Sequence, residues 1–169
     1  EIFRSPALPD YFMSIDGSSP KELASLTQHY ETEKVILLNK RKIEFDAKFF
    51  ANVTLPADRG YKKFKTVQYA QALKRGEQIY PSLADDCFDG DRGKTRYFGE
   101  QVQSIVAQLC KLLEEAAGGY RIATPRLTLR CSPTFNENLH FDVYDNDIDT
   151  HHFRVFVNLD SAHRIWHPS

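Results

Sequence analysis

A stripe of apolar residues, spaced three or four positions apart, is the clearest pattern in the chain and lies between residues 97 and 116. Its members are Phe98, Val102, Ile105, Val106, Leu109, Leu112 and Leu113. This spacing is typical of a helix that buries one face, so it predicts a core helix rather than a cofactor-binding segment. Gly118 and Gly119 are expected to end the helix, because glycine is common just beyond a helix C terminus.

The first forty residues predict shorter elements. Residues 1–17 are expected to form an irregular lead-in. A helix is predicted to begin at Ser19-Pro20-Lys21-Glu22, where Ser19 can cap, Pro20 suits the first helical position and Glu22 completes a capping box. The apolar face of that helix would contain Leu23, Leu26 and Tyr30. A strand is predicted for Val35 to Leu38, a short apolar run bounded by charges.

The middle of the chain has mixed patterns. Ile43 and Phe45 alternate as in a strand, whereas Ala47 to Phe50 could be helical. Residues 59–65 are basic with interleaved aromatics. They are predicted to form a solvated loop, because acidic segments elsewhere in the chain balance their charge. A nucleic-acid-binding patch is the alternative. Residues 66–75 are predicted to be helical and residues 82–95 to be an acidic loop.

Beyond residue 120 the helical pattern gives way to alternation, which is typical of strands. Three segments show it: residues 126–131, residues 139–143 and residues 152–159. In the first, Arg126, Thr128 and Arg130 share the polar face; in the last, His152, Arg154, Phe156 and Asn158 lie opposite Phe153, Val155, Val157 and Leu159. Helices followed by antiparallel strands predict an α+β fold with a sandwich or barrel at its C-terminal end.

Composition indicates one ordinary domain. The 169 residues are 41% hydrophobic and 27% charged, with a net charge of −1, so no overall basic field points to nucleic acid. No apolar run approaches the about 18 residues of a membrane span, and no signal peptide is recognisable, so a cytoplasmic location is expected. The three cysteines, Cys87, Cys110 and Cys131, are widely spaced and are expected to be buried small side chains in a reducing compartment.

The residues best suited to chemistry are His140 and Asp142, in the segment Leu139-His140-Phe141-Asp142-Val143. On a strand, alternate residues project to the same side with Cα atoms roughly 6.5–7 Å apart, so the imidazole and the carboxylate could reach one metal ion. With a second histidine they would form the facial triad that binds Fe(II) and leaves coordination positions open. The alternative is a surface histidine beside a solvated aspartate.

Three further residues are candidates for binding a cosubstrate. Arg154 and Asn158 share the polar face of the last predicted strand, and Arg130 lies on a similar face of an earlier one. A strand arginine can hold a carboxylate through two parallel hydrogen bonds. We expect Arg154 to face the same cavity as His140 and Asp142; an arginine that braces a neighbouring strand or lies exposed is the alternative.

Three stretches together resemble the core of the Kdo hydroxylases. These are Leu139-His140-Phe141-Asp142, then residues 153–158, and then Arg164-Ile165-Trp166. The resemblance covers roughly residues 120–169. It implies a double-stranded β-helix, a jelly roll related to the cupins, with the N-terminal helices packed on it. It also implies Fe(II) and 2-oxoglutarate as cofactors, with His140 and Asp142 as iron ligands and Arg154 as a contact to 2-oxoglutarate or substrate.

The activity implied by the resemblance is hydroxylation of a sugar acid, such as 3-deoxy-D-manno-oct-2-ulosonic acid (Kdo) of lipopolysaccharide, or of another polar metabolite. The substrate would be a small molecule or a lipid-linked sugar. The family's second histidine follows the His-x-Asp pair by many residues, so the third ligand is expected beyond Ser169 and the chain is expected to stop inside the barrel. Otherwise one of four nearer histidines takes its place, or no metal binds: His151, His152, His163 and His167. A non-catalytic jelly-roll module that binds a sugar or a protein partner is the alternative function.

Overall fold

The computed structural model of the protein describes residues 12–32, 34–53, 62–65, 87–120, 128–131 and 154–159. Strands and helices follow one another in these residues as β1 (Phe12–Asp16), α1 (Pro20–Leu23), α2 (Leu26–Glu31), β2 (Val35–Asn39), α3 (Ala47–Phe50), β3 (Lys62–Lys65), α4 (Arg92–Ala116) and β4 (Thr128–Cys131). No helix in the described ranges is both long and apolar enough to cross a membrane.

The predicted long helix is α4, and it begins earlier than its apolar stripe. Asp91 caps it, since its Oδ1 atom accepts a hydrogen bond from the Lys94 amide at 3.0 Å. The expectation of an acidic loop to residue 95 is therefore wrong for residues 92–95. At the other end the Ala117 amide donates to the Leu113 carbonyl at 2.8 Å, so the last turn closes just before the two glycines.

The predicted apolar stripe of α4 forms the centre of two hydrophobic clusters. Phe98, Val102, Ile105, Val106 and Leu112 are buried as expected, together with Ala116. The N-terminal half of α4 packs in a first cluster with Phe50 and Phe88, and the C-terminal half packs in a second with Ile15, Leu23 and Leu26. Leu109 packs against both clusters, so this single helix links them.

Strands β1 and β2 form a parallel pair, in register from Phe12 opposite Val35 to Asp16 opposite Asn39. The strand prediction for Val35 to Leu38 is confirmed, whereas an irregular lead-in is wrong for residues 12–16. Parallel neighbours need a crossover connection, and here α1 and α2 supply it. The short β1 sequence shows little alternation of apolar and polar residues. The strand is nevertheless stabilised, because Ile15 is buried against the C-terminal half of α4 and the backbone of β1 is hydrogen-bonded to that of β2.

The start of α1 follows its predicted capping pattern in part. Ser19 accepts a hydrogen bond from the Glu22 amide at 3.3 Å, and Pro20 occupies the first turn. The Glu22 carboxylate accepts from the Asp16 amide at 2.7 Å, so it ties the helix to the end of β1 rather than closing a capping box. The helix is interrupted after Leu23 and resumes at Leu26, and both leucines are buried.

Residues 41–46 have no regular secondary structure but are held along α4 by two glutamines. Ile43 and Phe45 pack against the first cluster, which explains their strand-like alternation. Gln108 accepts from the Glu44 amide and donates to the Glu44 carbonyl, both at 2.8 Å. Gln101 accepts from the Asp46 amide at 2.8 Å. Side chains of α4 thus replace the neighbouring strand that this segment lacks.

Replacing Gln108 with alanine is expected to lower the free energy of unfolding by about 1 kcal/mol, because its two hydrogen bonds to Glu44 are lost and both of them are exposed to water. Urea denaturation would measure the change. Gln103→Ala is the matched control, since Gln103 is exposed on the same helix. An equal loss in the two variants would show that helix propensity, and not the contact with Glu44, is responsible.

Strands β3 and β4 form an antiparallel pair, in register from Lys62 opposite Cys131 to Lys65 opposite Thr128. The strand predicted over residues 126–131 is confirmed for residues 128–131. The solvated loop expected for residues 59–65 is wrong for residues 62–65. A charged sequence can still form a strand when a partner satisfies its backbone, and lysine is common on strands at the edge of a sheet.

Residues 154–159 lack the regular strand that their alternation predicts. Val157 and Leu159 are half-buried and Phe156 and Asn158 are exposed, so part of the alternation in burial is present. Alternation produces a strand only where a neighbouring strand accepts and donates the backbone hydrogen bonds. The helix predicted at residues 66–75 and the strand predicted at residues 139–143 lie outside the described residues, as does most of the expected jelly roll.

Candidate functional site

The residues predicted to bind metal and cosubstrate fall in different parts of the chain. His140 and Asp142 lie outside the described residues. Arg130 lies on β4, where the register places it opposite Lys63. Arg154 and Asn158 lie in the irregular segment 154–159, and both are exposed. The described residues therefore include three of the five predicted site residues, two of them in one segment and the third on β4.

Segment 154–159, which contains Arg154 and Asn158, contacts the hydrophobic core through its last residue. Leu159 packs against the first hydrophobic cluster, which contains Phe98 and Phe88. The Arg154 side chain is exposed. That it faces a cavity with His140 and Asp142 stays a prediction, because those two residues lie outside the described residues.

No group of three or more histidine, cysteine, aspartate or glutamate side chains that could hold a metal ion occurs among the described residues. The two cysteines whose side chains are described, Cys87 and Cys110, are half-buried. Burial raises the pKa of the Cys110 thiol, with a further contribution from the charge of Glu114. This shift favours the protonated thiol, which is a weaker nucleophile than the thiolate.

A network of charged and polar groups occupies the carboxyl ends of β1 and β2. Asp16 ends β1 and accepts hydrogen bonds from Lys40 Nζ at 2.7 Å, from Ser18 Oγ at 2.5 Å and from the Ser18 amide at 2.9 Å. Beside it, Asn39 Nδ2 donates to Ser14 Oγ. In open α/β sheets this edge is where ligands commonly bind. Here the Asp16 carboxylate is already hydrogen-bonded by the protein itself.

The backbone beside this network is constrained at two positions, Gly17 and Lys40. Lys40 has φ 57°, in the left-handed region that side chains other than glycine rarely adopt. A Cβ atom at Gly17 would lie 2.7 Å from the Cβ of Arg41, so only glycine fits this close approach of the two chain segments. Arg41 in turn forms an ion pair with Glu115 of α4 at 3.0 Å. The network therefore fastens the sheet edge to the long helix.

Hydrogen bonds from Lys40 and from Ser18 lower the pKa of Asp16 from its ordinary value of 3.8 to about 2. The hydrogen bond to Asp16 raises the pKa of Lys40 in return. Because Asp16 has a lower pKa in the folded chain, it stabilises the fold above its ordinary pKa, and this contribution is lost as the pH falls towards about 2.

Replacing Asp16 with asparagine is therefore expected to flatten the fall of the melting temperature between pH 3.8 and about 2. The comparison needs melting curves of both proteins at several pH values in that window. Asp89→Asn serves as the control, because Asp89 is exposed in a turn. The assignment to Asp16 fails if Asp89→Asn flattens the curve as much.

A surface groove of about 320 Å³ lies between α3 and the start of α4. Its lining includes Asp46, Lys48, Phe49, Cys87, Phe88 and Lys94. Asp46 caps α3, since its Oδ1 accepts from the Phe49 amide at 2.8 Å, and its Oδ2 accepts from the Tyr97 hydroxyl at 2.9 Å. The groove thus combines an aromatic wall, two lysines and one carboxylate whose two oxygens already accept hydrogen bonds from the protein.

Hydrogen bonds from the Phe49 amide and from Tyr97 lower the pKa of Asp46. The same contact with Asp46 raises the pKa of Tyr97. At neutral pH Asp46 is therefore ionised and Tyr97 is a neutral hydrogen-bond donor. This pairing suits a structural link between α3 and α4 rather than proton transfer.

The sequence patterns did not single out these two polar arrangements, although a signal was present for each. Asp16-Gly17-Ser18 has the composition of a turn, in which an aspartate commonly accepts from the backbone two residues later. Asp46 precedes the segment that could be helical, which is the position of an N-cap. Their tertiary partners, Lys40 and Tyr97, have no such signal in the sequence.

No protein-family model, curated protein or solved structure matches this chain.

Proposed function

We propose that the protein is an Fe(II)- and 2-oxoglutarate-dependent hydroxylase that acts on a sugar acid, such as Kdo of lipopolysaccharide, or on another polar metabolite. The observation that carries the proposal is the segment Leu139-His140-Phe141-Asp142-Val143, in which an imidazole and a carboxylate alternate with apolar residues. The resemblance of this segment, and of residues 153–158 and 164–166, to the Kdo hydroxylases supports it.

The donor set of the proposed centre suits iron. Imidazole nitrogen and carboxylate oxygen are the ligands of the facial triad, and no thiolate is required. When bound, the iron would couple the decarboxylation of 2-oxoglutarate to succinate with the insertion of one oxygen atom from O₂ into a C–H bond of the substrate. The part of the chain would be to hold the metal through His140 and Asp142 and to orient 2-oxoglutarate and substrate beside it.

The proposed contacts to the cosubstrate are Arg154, Asn158 and Arg130. The guanidinium of Arg154 can hold a carboxylate through two parallel hydrogen bonds, and Asn158 can donate from its amide. Arg154 and Asn158 are exposed and belong to one segment, so a single anionic ligand could contact both. Arg130 would provide a second cation from β4.

The experiment that tests the proposal is an assay of succinate formation from 2-oxoglutarate by the protein as it is encoded, with Fe(II) and ascorbate under air. Iron-dependent succinate formation that increases when Kdo-containing lipopolysaccharide is added would support the proposal. The matched control replaces Fe(II) with Zn(II), which binds similar ligands without redox chemistry. Saturable binding of the sugar without succinate formation would instead indicate the non-catalytic sugar-binding module.

A further inference from the structure

We propose that the groove between α3 and the start of α4 binds a small aromatic anion, meaning a planar ring that carries a carboxylate or a phosphate. Its volume of about 320 Å³ is at the lower end of the roughly 300–1,000 Å³ that small-molecule pockets occupy. This site involves none of the residues proposed to bind iron or 2-oxoglutarate, so its test is independent of the hydroxylase proposal.

The first argument is the charge of the groove. Lys48 and Lys94 line it, and neither ammonium forms an ion pair within 4.0 Å in the described part of the chain. Asp46 is the carboxylate in the lining, but its two oxygens accept from the Phe49 amide and the Tyr97 hydroxyl. Two cations against one engaged carboxylate leave the groove with an excess positive charge, which favours an anionic ligand.

The second argument is the aromatic wall. Phe49 and Phe88 are stacked with their ring centroids 5.9 Å apart and an interplanar angle of 29°. Tyr97 contacts Phe49 edge-on at 4.9 Å and 89°, which fixes the orientation of the Phe49 ring. Phe88 is buried, whereas Phe49 is half-buried and borders the groove. A planar ligand ring could therefore pack on a rigid aromatic surface.

The two features together specify the ligand more closely than either does alone. Inorganic phosphate would contact the lysines but would leave the aromatic wall exposed to water. A neutral aromatic ring would cover the wall but would leave both ammonium groups without a counter-charge. A ring that bears an anionic group satisfies both, and single-ring carboxylates and nucleoside monophosphates share this chemistry.

The test is titration calorimetry of the whole chain at low salt with two probes, salicylate and adenosine monophosphate. We expect saturable binding of at least one probe, weakened by added salt because the lysine contacts are exposed. Binding of salicylate alone would identify a compact carboxylate, and binding of the nucleotide alone would identify a phosphate-bearing base. Salicyl alcohol, adenosine and inorganic phosphate are expected to bind more weakly than the probe to which each corresponds.

Charge-removing variants locate the site. Lys48→Gln and Lys94→Gln should each weaken binding by about two- to fivefold, the range of an exposed ion pair. Lys111→Gln should leave it unchanged, because Lys111 is exposed on α4 roughly 25 Å further along the helix. The proposal is overturned if neither probe binds, if Lys111→Gln weakens binding as much as the groove variants, or if phosphate binds as tightly as the nucleotide.

Discussion

Replacing Phe98 with alanine is expected to lower the free energy of unfolding by about 3–5 kcal/mol, the usual cost of removing a fully buried aromatic side chain. Phe98 is only 1% exposed and belongs to the first hydrophobic cluster. Its ring lies 5.6 Å from that of Phe50 and 6.0 Å from that of Phe88. Alanine would leave a cavity between α4, α3 and the residues that precede α4, and rigid neighbouring rings cannot easily fill it.

Urea denaturation monitored by circular dichroism would measure this loss. Arg96→Ala is the matched control on the same helix, because the Arg96 side chain is 82% exposed and its ion pair with Glu100 is long at 3.7 Å. The control should change the free energy of unfolding by no more than about 0.5 kcal/mol. If Phe98→Ala cost less than about 1 kcal/mol, the first cluster would not be a closely packed core.

Helix α4 could be predicted because its information is local. Seven apolar residues at helical spacing define the buried face, and six of them belong to or pack against the two clusters. The sequence pattern nevertheless missed the first turns of the helix, where Arg92 to Lys94 are all exposed. Such residues carry no apolar period, and the only signal is the capping aspartate at position 91.

The strands were harder because pairing is not a local property. Both β1 and β3 were expected to be irregular, yet each has a partner that completes its backbone hydrogen bonds. Conversely, residues 154–159 alternate well in sequence but have no ladder. The presence of a neighbouring strand therefore decides whether a short alternating or charged segment becomes a strand.

The candidate sites also depend on contacts between residues that are far apart in the sequence. Alternation and resemblance predict that Arg154 faces a cavity with His140 and Asp142. This stays a prediction, since those two residues lie outside the described part of the chain, and the Arg154 side chain itself is exposed. The groove beside Asp46 was not foreseen, since α3 and α4 contribute residues far apart in the sequence. Individual N-caps can be inferred from one residue and its neighbours, but the pairing of Asp46 with Tyr97 depends on how two helices pack.

Replacing His140 with alanine is expected to abolish iron-dependent succinate formation. The imidazole would supply the only nitrogen of the pair, and losing it would leave Asp142 as a single oxygen donor from this segment. The same variant should lose the stabilisation by Fe(II), which for a single site amounts to about 2.7 kcal/mol at one hundred times the dissociation constant. Asp142→Ala should behave in the same way, because both groups are proposed to bind one ion.

Two measurements on the protein as it is encoded separate this role from a structural one: succinate formation, and the shift of the melting temperature on adding Fe(II) without oxygen. His29→Ala is the control, since His29 is half-buried on α2, and it should retain both the activity and the shift. A variant that lowers the melting temperature without iron but keeps a normal iron-induced shift would show that His140 is structural. An unchanged shift together with full activity would place the metal on other residues and end the assignment of the His-x-Asp pair.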